Sequence, residues 1–150
     1  MPPKPEILIC NRQRAVRVFR ERLCRLVRFV ARAEGVPLAL VDLAVVGKDE
    51  MAGLNRRYLR RSGTTDVLSF DLSEPHRPGL SAQIVVCGEV AAEEARRRGL
   101  RPQQELMLYV IHGLLHLMGY DDETTSAAEK MHRREQELLA RFVTAKTARR

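Results

Sequence analysis

The chain contains no apolar run near the roughly 20 residues that a bilayer-crossing helix needs, which excludes a membrane-spanning helix. Its first residues, Met1-Pro2-Pro3-Lys4-Pro5-Glu6, carry no apolar h-region, so no secretory signal is expected. Cysteine is scarce. The three present, Cys10, Cys24 and Cys87, are odd in number, widely spaced and form no CxxC pair. That usage points to a reduced, cytoplasmic setting in which each thiol serves as a small core hydrophobe. No base flanks any of them in sequence to make it reactive. Internal repeats, low-complexity tracts and linkers are missing too. What remains is one domain over 1–150, long enough to bury roughly 70% of its unfolded surface.

Hydrophobic residues make up 45% and charged residues 30%, the balance of a soluble globular protein. Basic residues outnumber acidic ones, 26 to 19, for a net charge of +7. Arginine supplies 22 of the basic residues and lysine only 4. The planar guanidinium suits phosphate, which makes nucleic acid a candidate partner. A GC-rich genome would give the same bias, so charge alone does not decide.

Along the chain, Ile7-Leu8-Ile9 reads as a short strand. From Arg12 to Ala33 the apolar residues Val16, Phe19, Leu23, Leu26 and Val30 recur every three or four positions, a helical stripe ended by Gly35 and Pro37. Eight arginines share that stretch with one acid, Glu21. It can be read as a phosphate-binding helix, a membrane-surface helix or a solvated outer face. Leu38–Val46 is a strand. Asp49 suits the N-cap of a helix through Met51, Leu54 and Tyr58, closed by Arg56-Arg57-Tyr58-Leu59-Arg60-Arg61.

Val67–Phe70 and Ile84–Cys87 are strands separated by a loop from Ser73 to Ser81. Helices follow over Glu89–Arg98 and from Pro102 to Gly119. A last helix carries Ser126 and Glu129 as a capping box, with Met131, Leu138 and Phe142 facing inward. The basic tail from Thr144 to Arg150 is expected to fray. The sum is an α+β domain of about four short strands and four or five helices.

Chemistry concentrates in His112-Gly113-Leu114-Leu115-His116-Leu117-Met118-Gly119-Tyr120-Asp121-Asp122. Histidines at i and i+4 project from one face of a helix, about 6 Å apart along its axis, within reach of one metal ion. Gly119 permits a left-handed helix end, so the chain folds back and Asp122 can return as a third ligand. Two histidines and one carboxylate leave a coordination position open, as in catalytic zinc sites. The alternative for a histidine in an apolar helix is a core residue bonded to a carbonyl. Two histidines, a glycine turn and two carboxylates weigh against that. Tyr120 beside this loop either orients a ligand through its hydroxyl or fills the core. The glutamate of the zinc-peptidase pattern H-E-x-x-H is absent, its place taken by Gly113, which argues against a peptidase. Hydrolysis then needs a metal-acidified water or a base from elsewhere, and a phosphodiester fits the arginines.

This run resembles the signature H-G-x-L-H-L-x-G-Y-D-H of the bacterial YbeY family of rRNA maturation factors. Leu54-Asn55-x-x-Tyr58 and Thr65-Asp66-Val67-Leu68-Ser69-Phe70 resemble that family's L-N-x-x-Y-R and P-T-D-V-L-S-F, and Ile84–Ala91 the segment that follows. The likeness runs from about Leu38 to Leu139. It implies a zincin-like fold and a divalent metal, usually zinc, held on a central helix by His112, His116 and a third ligand. It also implies a single-strand-specific endoribonuclease in 16S rRNA 3′-end maturation and ribosome quality control. Its expected partners are rRNA and the small ribosomal subunit, with ribosomal proteins or assembly GTPases beside them, and no membrane.

The chain departs from the family at specific places. Asp122 stands where the family has its third histidine, and Leu59 where it has arginine, with Arg60 one place later. Ala82-Gln83 replace Gly-Asp, and Thr64 replaces proline. The expected site is therefore His112, His116 and Asp122 for the metal, with His116 and Arg60 catalytic. Arg56, Arg57 and Arg61 are expected to bind substrate, though a solvated helix end explains the same cluster. A non-catalytic RNA-binding assembly factor with a structural metal is the alternative that these departures favour.

Overall fold

Alternating side chains build the first layer. β1 (Glu6–Arg12), β2 (Leu38–Val46), β3 (Val67–Asp71) and β4 (Leu80–Cys87) form a sheet in the order β1-β2-β4-β3. The structure is a computed structural model that describes residues 4–60 and 63–148, with side chains described as far as residue 145. β1 and β4 run parallel to β2, and β3 is antiparallel to β4. Successive residues of a strand face opposite sides. Val41, Leu43, Val45, Ile84 and Val86 therefore enter the main core, whereas Ala44, Val46, Val85 and Cys87 meet Met51 and Leu68 on the other face.

Five helices complete the described residues: α1 (Arg20–Glu34), α2 (Lys48–Leu54), α3 (Gly88–Arg98), α4 (Pro102–Leu117) and α5 (Thr125–Ala148). This is the α+β architecture that the sequence pattern predicts. α4 is buried along almost its whole length, as a helix apolar on most sides must be. It lies on β3 and β4 with α1, α3 and α5 packed around it. Gly113 sets how close it lies. A Cβ there would stand 3.1 Å from Ile84 Cγ2 and 3.2 Å from Val67 Cγ2.

Several boundaries differ from the sequence reading. β1 continues to Arg12, and the first helix begins only at Arg20. The Gln13 side chain is the reason. Its Nε2 donates to Val16 O at 2.8 Å and its Oε1 accepts from Val16 N at 2.9 Å, bonds that compete with a helical backbone. Val16 is buried as a loop anchor rather than as part of the stripe. α2 starts at Lys48, whose N–H donates to Glu89 Oε1 at 2.8 Å, and Asp49 lies inside the helix rather than at its N-cap.

β4 begins at Leu80 because the small Ser81 and Ala82 fit a strand buried between β2 and β3. Thr124, not Ser126, caps α5, accepting from Ala127 N at 3.0 Å. α5 extends to Ala148, and the end of the basic tail, residues 149–150, lies outside the described residues. Cys87 is buried, but Cys10 is exposed, on the edge strand, with the Arg12 guanidinium 3.2 Å from its sulfur.

Candidate functional site

α4 turns its few polar groups toward one cavity. His112 is half-buried and His116 is exposed near the helix end. Gly119, at φ 107°, takes the left-handed region that side chains avoid and reverses the chain, and Tyr120 N donates to Leu115 O at 3.0 Å. The reversal carries Asp122 to the wall of a cavity of about 540 Å³ that His112 and His116 also line. Asn55, Leu59 and the stretch from Thr64 to Phe70 form its other wall. Asp121 instead accepts from Glu123 N at 3.1 Å and holds the turn.

His112 is held in place from α5. Its Nδ1–H donates to Glu135 Oε2 at 2.6 Å, which leaves Nε2 as the free ligating atom. The Glu135 hydrogen bond pushes the His112 imidazole above its ordinary value. Burial opposes this, and the charges of Glu135, Asp66 and Asp122 add to it. Sequence reasoning missed Glu135 because it lies 23 residues from its partner, outside any local spacing.

The donor types fit a divalent ion: two imidazoles and a carboxylate line one cavity, and acids surround His112. Among the described residues no three His, Cys, Asp or Glu side chains are already gathered closely enough to hold an ion. Asn55 adds an orphan. It is 4% exposed, its Nδ2 donates to Gly63 O at 3.2 Å, and its Oδ1 is buried without a partner. An unpaired buried acceptor is costly, and in a cavity wall it marks a place for a donor from outside.

The basic cluster is arranged otherwise. Asn55–Leu59 is one π-helical turn, a form that recurs at functional sites. Arg60 ends it at φ 53°, an uncommon conformation for a residue with a side chain. Leu59 lines the cavity, and Arg60 is not among the lining residues. Arg56, Arg57 and Arg60 are exposed on the turn beside it, and Arg61 lies outside the described residues. Tyr58, 55% exposed, stands edge-on to Phe70 of the cavity wall at 5.4 Å.

A second cavity of about 460 Å³ shares Thr64, Thr65, Asp66 and His112 with the first. Glu105 on its wall is 2% exposed and takes a 2.8 Å bond from Arg98. Burial, and then Glu105, push the Tyr109 hydroxyl far above the usual tyrosine range, so it stays protonated. Tyr120 turns away from the histidines. Its hydroxyl bonds to Glu34 of α1, which Arg134 of α5 also grips at 2.7 Å, so it ties two helices together.

The Endoribonuclease YbeY family model matches residues 8–143. The chain is 40% identical over 129 residues to the Endoribonuclease YbeY of Thermobifida fusca, covering 80% of this chain and 83% of that one. To that of Syntrophotalea carbinolica it is 36% identical over 142 residues, covering 91% and 95%. The solution structure of a Thermotoga maritima protein superposes with a TM-score of 0.65 at 26% identity, over 95% of this chain and 93% of that one. The family model and the sequence relatives thus define an endoribonuclease class, and the structural neighbour shares the fold. The chain belongs to the YbeY family.

Proposed function

We propose that this protein is a metal-dependent endoribonuclease of zincin-like build that cuts single-stranded RNA in the cytoplasm. Its expected substrate is 16S rRNA, at 3′-end maturation and in ribosome quality control, with the small subunit, ribosomal proteins or assembly GTPases as partners. The observation that carries this reading is the cavity shared by His112, His116 and Asp122, with His112 fixed by Glu135.

His112, His116 and Asp122 would hold the ion, most simply Zn²⁺. When bound, it would polarise a phosphoryl oxygen and acidify water. Glu135 keeps the His112 Nε2 free and aimed. Gly113 supplies no base, and a Cβ there would press on Ile84 and Val67. Apart from Asp122, the carboxylate on the cavity wall among the described residues is Asp66, and we assign it the proton from the attacking water. Arg60, with Arg56 and Arg57 beside the cavity, grips the RNA backbone and offsets charge on the reacting phosphate, and Arg61 is assigned to the same task from sequence alone. Tyr58 against Phe70 offers an unpaired base a stacking surface, which a duplex cannot use.

Metal analysis of the purified protein, with cleavage of a single-stranded RNA compared against His116→Ala, tests this. Leu59 on the cavity wall, where the family pattern has arginine, favours the second reading, an RNA-binding assembly factor with a structural metal. Loaded metal with no cleavage of any strand would select it.

A further inference from the structure

Among the described residues the arginines at the start of α1, like Arg56, Arg57 and Arg60, are free of ion pairs, while others in the chain are paired. Arg77, Arg98 and Arg134 each pair with an acid. Among the described residues Arg17, Arg20, Arg22, Arg25 and Arg28 pair with none. Four more features meet at the same place. Phe19 is 42% exposed, and the Arg17 guanidinium lies 5.0 Å from its ring centroid. Phe19, Arg20, Glu21, Arg22 and Arg25 line a cavity of about 470 Å³. Arg22 Nε is buried and has no hydrogen-bond partner. The patch is also tied to the catalytic helix, since Gln103 at the start of α4 donates to Arg17 O at 3.1 Å.

We infer that Phe19 with Arg17, Arg20, Arg22 and Arg25 forms a second binding surface for single-stranded RNA, remote from the histidine cavity; this rests on the ribonuclease reading. An exposed ring flanked by guanidiniums matches the alternation of base and phosphate along an unpaired strand. Guanidinium forks grip phosphate in two bonds. A membrane is the poorer fit. Leu23, Leu26, Val27 and Val30, the apolar side of α1, are spent in the core, so no apolar face is left to insert.

The spacing has a meaning. From Gln103, His112 lies roughly 14 Å and His116 roughly 20 Å along the α4 axis, at 1.5 Å per residue. One rigid helix thus separates a holding site from a cutting site, and a strand must be long enough to reach both.

The test compares single strands of about 20 and about 6 nucleotides, bound to the full chain carrying His116→Ala so that neither is cut. The longer strand should bind about tenfold more tightly. Arg20→Gln with Arg25→Gln should erase that advantage and lower the salt slope by about 1.4, at roughly 0.7 per phosphate contact. Phe19→Leu, which keeps an apolar group in place, should reduce it about fivefold. A length advantage that survives both variants overturns the proposal. So does capture of the wild-type chain by phosphatidylserine vesicles that the long strand does not displace. Cleavage of the short strand by the wild-type chain reports on the histidine cavity alone. A cut short strand with an unaltered length advantage overturns only this proposal, and an uncut one with an erased advantage overturns only the nuclease reading.

Discussion

Among the helices packed behind the histidine cavity, polar groups are matched in pairs. Glu135 holds His112, Arg134 and Tyr120 hold Glu34, and Arg98 holds the buried Glu105. On the loop side the balance is left open. Asn55 keeps an unpartnered oxygen, Arg60 sits in a left-handed conformation, and Tyr58 and Leu59 stay exposed. A matched wall is rigid before anything binds and can place ligands within the tolerance that catalysis needs. An unmatched wall leaves partners for the substrate to supply. On the proposed function, ligand geometry and substrate contact are divided between the two sides.

The comparison can be broken at its centre. His116→Ala should abolish both metal retention and RNA cleavage, and Asp122→Ala should follow it closely while Asp121→Ala does not. Metal content by mass spectrometry under native conditions would read this, and a loaded Asp122→Ala would remove that residue from the ligand set. Next in size, Asp66→Asn should lower kcat by about 10²–10³ while metal content holds. Lost metal with lost activity would make Asp66 a ligand rather than a base.

On the matched side, Glu135→Gln should weaken metal affinity about 10–100-fold, because an amide orients the His112 ring less firmly than a carboxylate. Titration against a chelator checks this, and unaltered affinity would mean that the ring needs no support. The smallest effect is on stability. Burial raises the Glu34 carboxyl, but the bonds from Arg134 and Tyr120 outweigh it and leave the group below its ordinary range. Its contribution is therefore complete above the unfolded glutamate value of about 4.3 and fades as pH falls through the lower folded value. Arg134→Met should cost about 2 kcal/mol at neutral pH and flatten the acid limb of a urea-melt profile. An acid limb as steep as before would place its origin elsewhere.

What was legible in the sequence was local. Leu38–Val46 and α4 stand where an apolar run rich in Val and Leu and a largely apolar helical segment put them, and the histidine pair with its glycine turn reads directly from spacing. The unread parts depend on partners distant in sequence. Glu135 reaches His112 through the packing of α5 on α4. Glu89 meets the start of α2 from another helix, and Gln13 folds a loop out of a segment with helical period. The π-helical turn at Asn55–Leu59 has no period to announce it. The exposed arginine face of α1 was visible as three competing readings, and the buried apolar stripe beneath it removes the membrane one.

The bond from Glu135 to His112 also has a direction in time. A chain is made from its N-terminus at roughly 5–20 residues per second, so the acid that fixes the first histidine emerges one to several seconds after it. Until α5 docks, His112 has no support and the cavity lacks its rigid side.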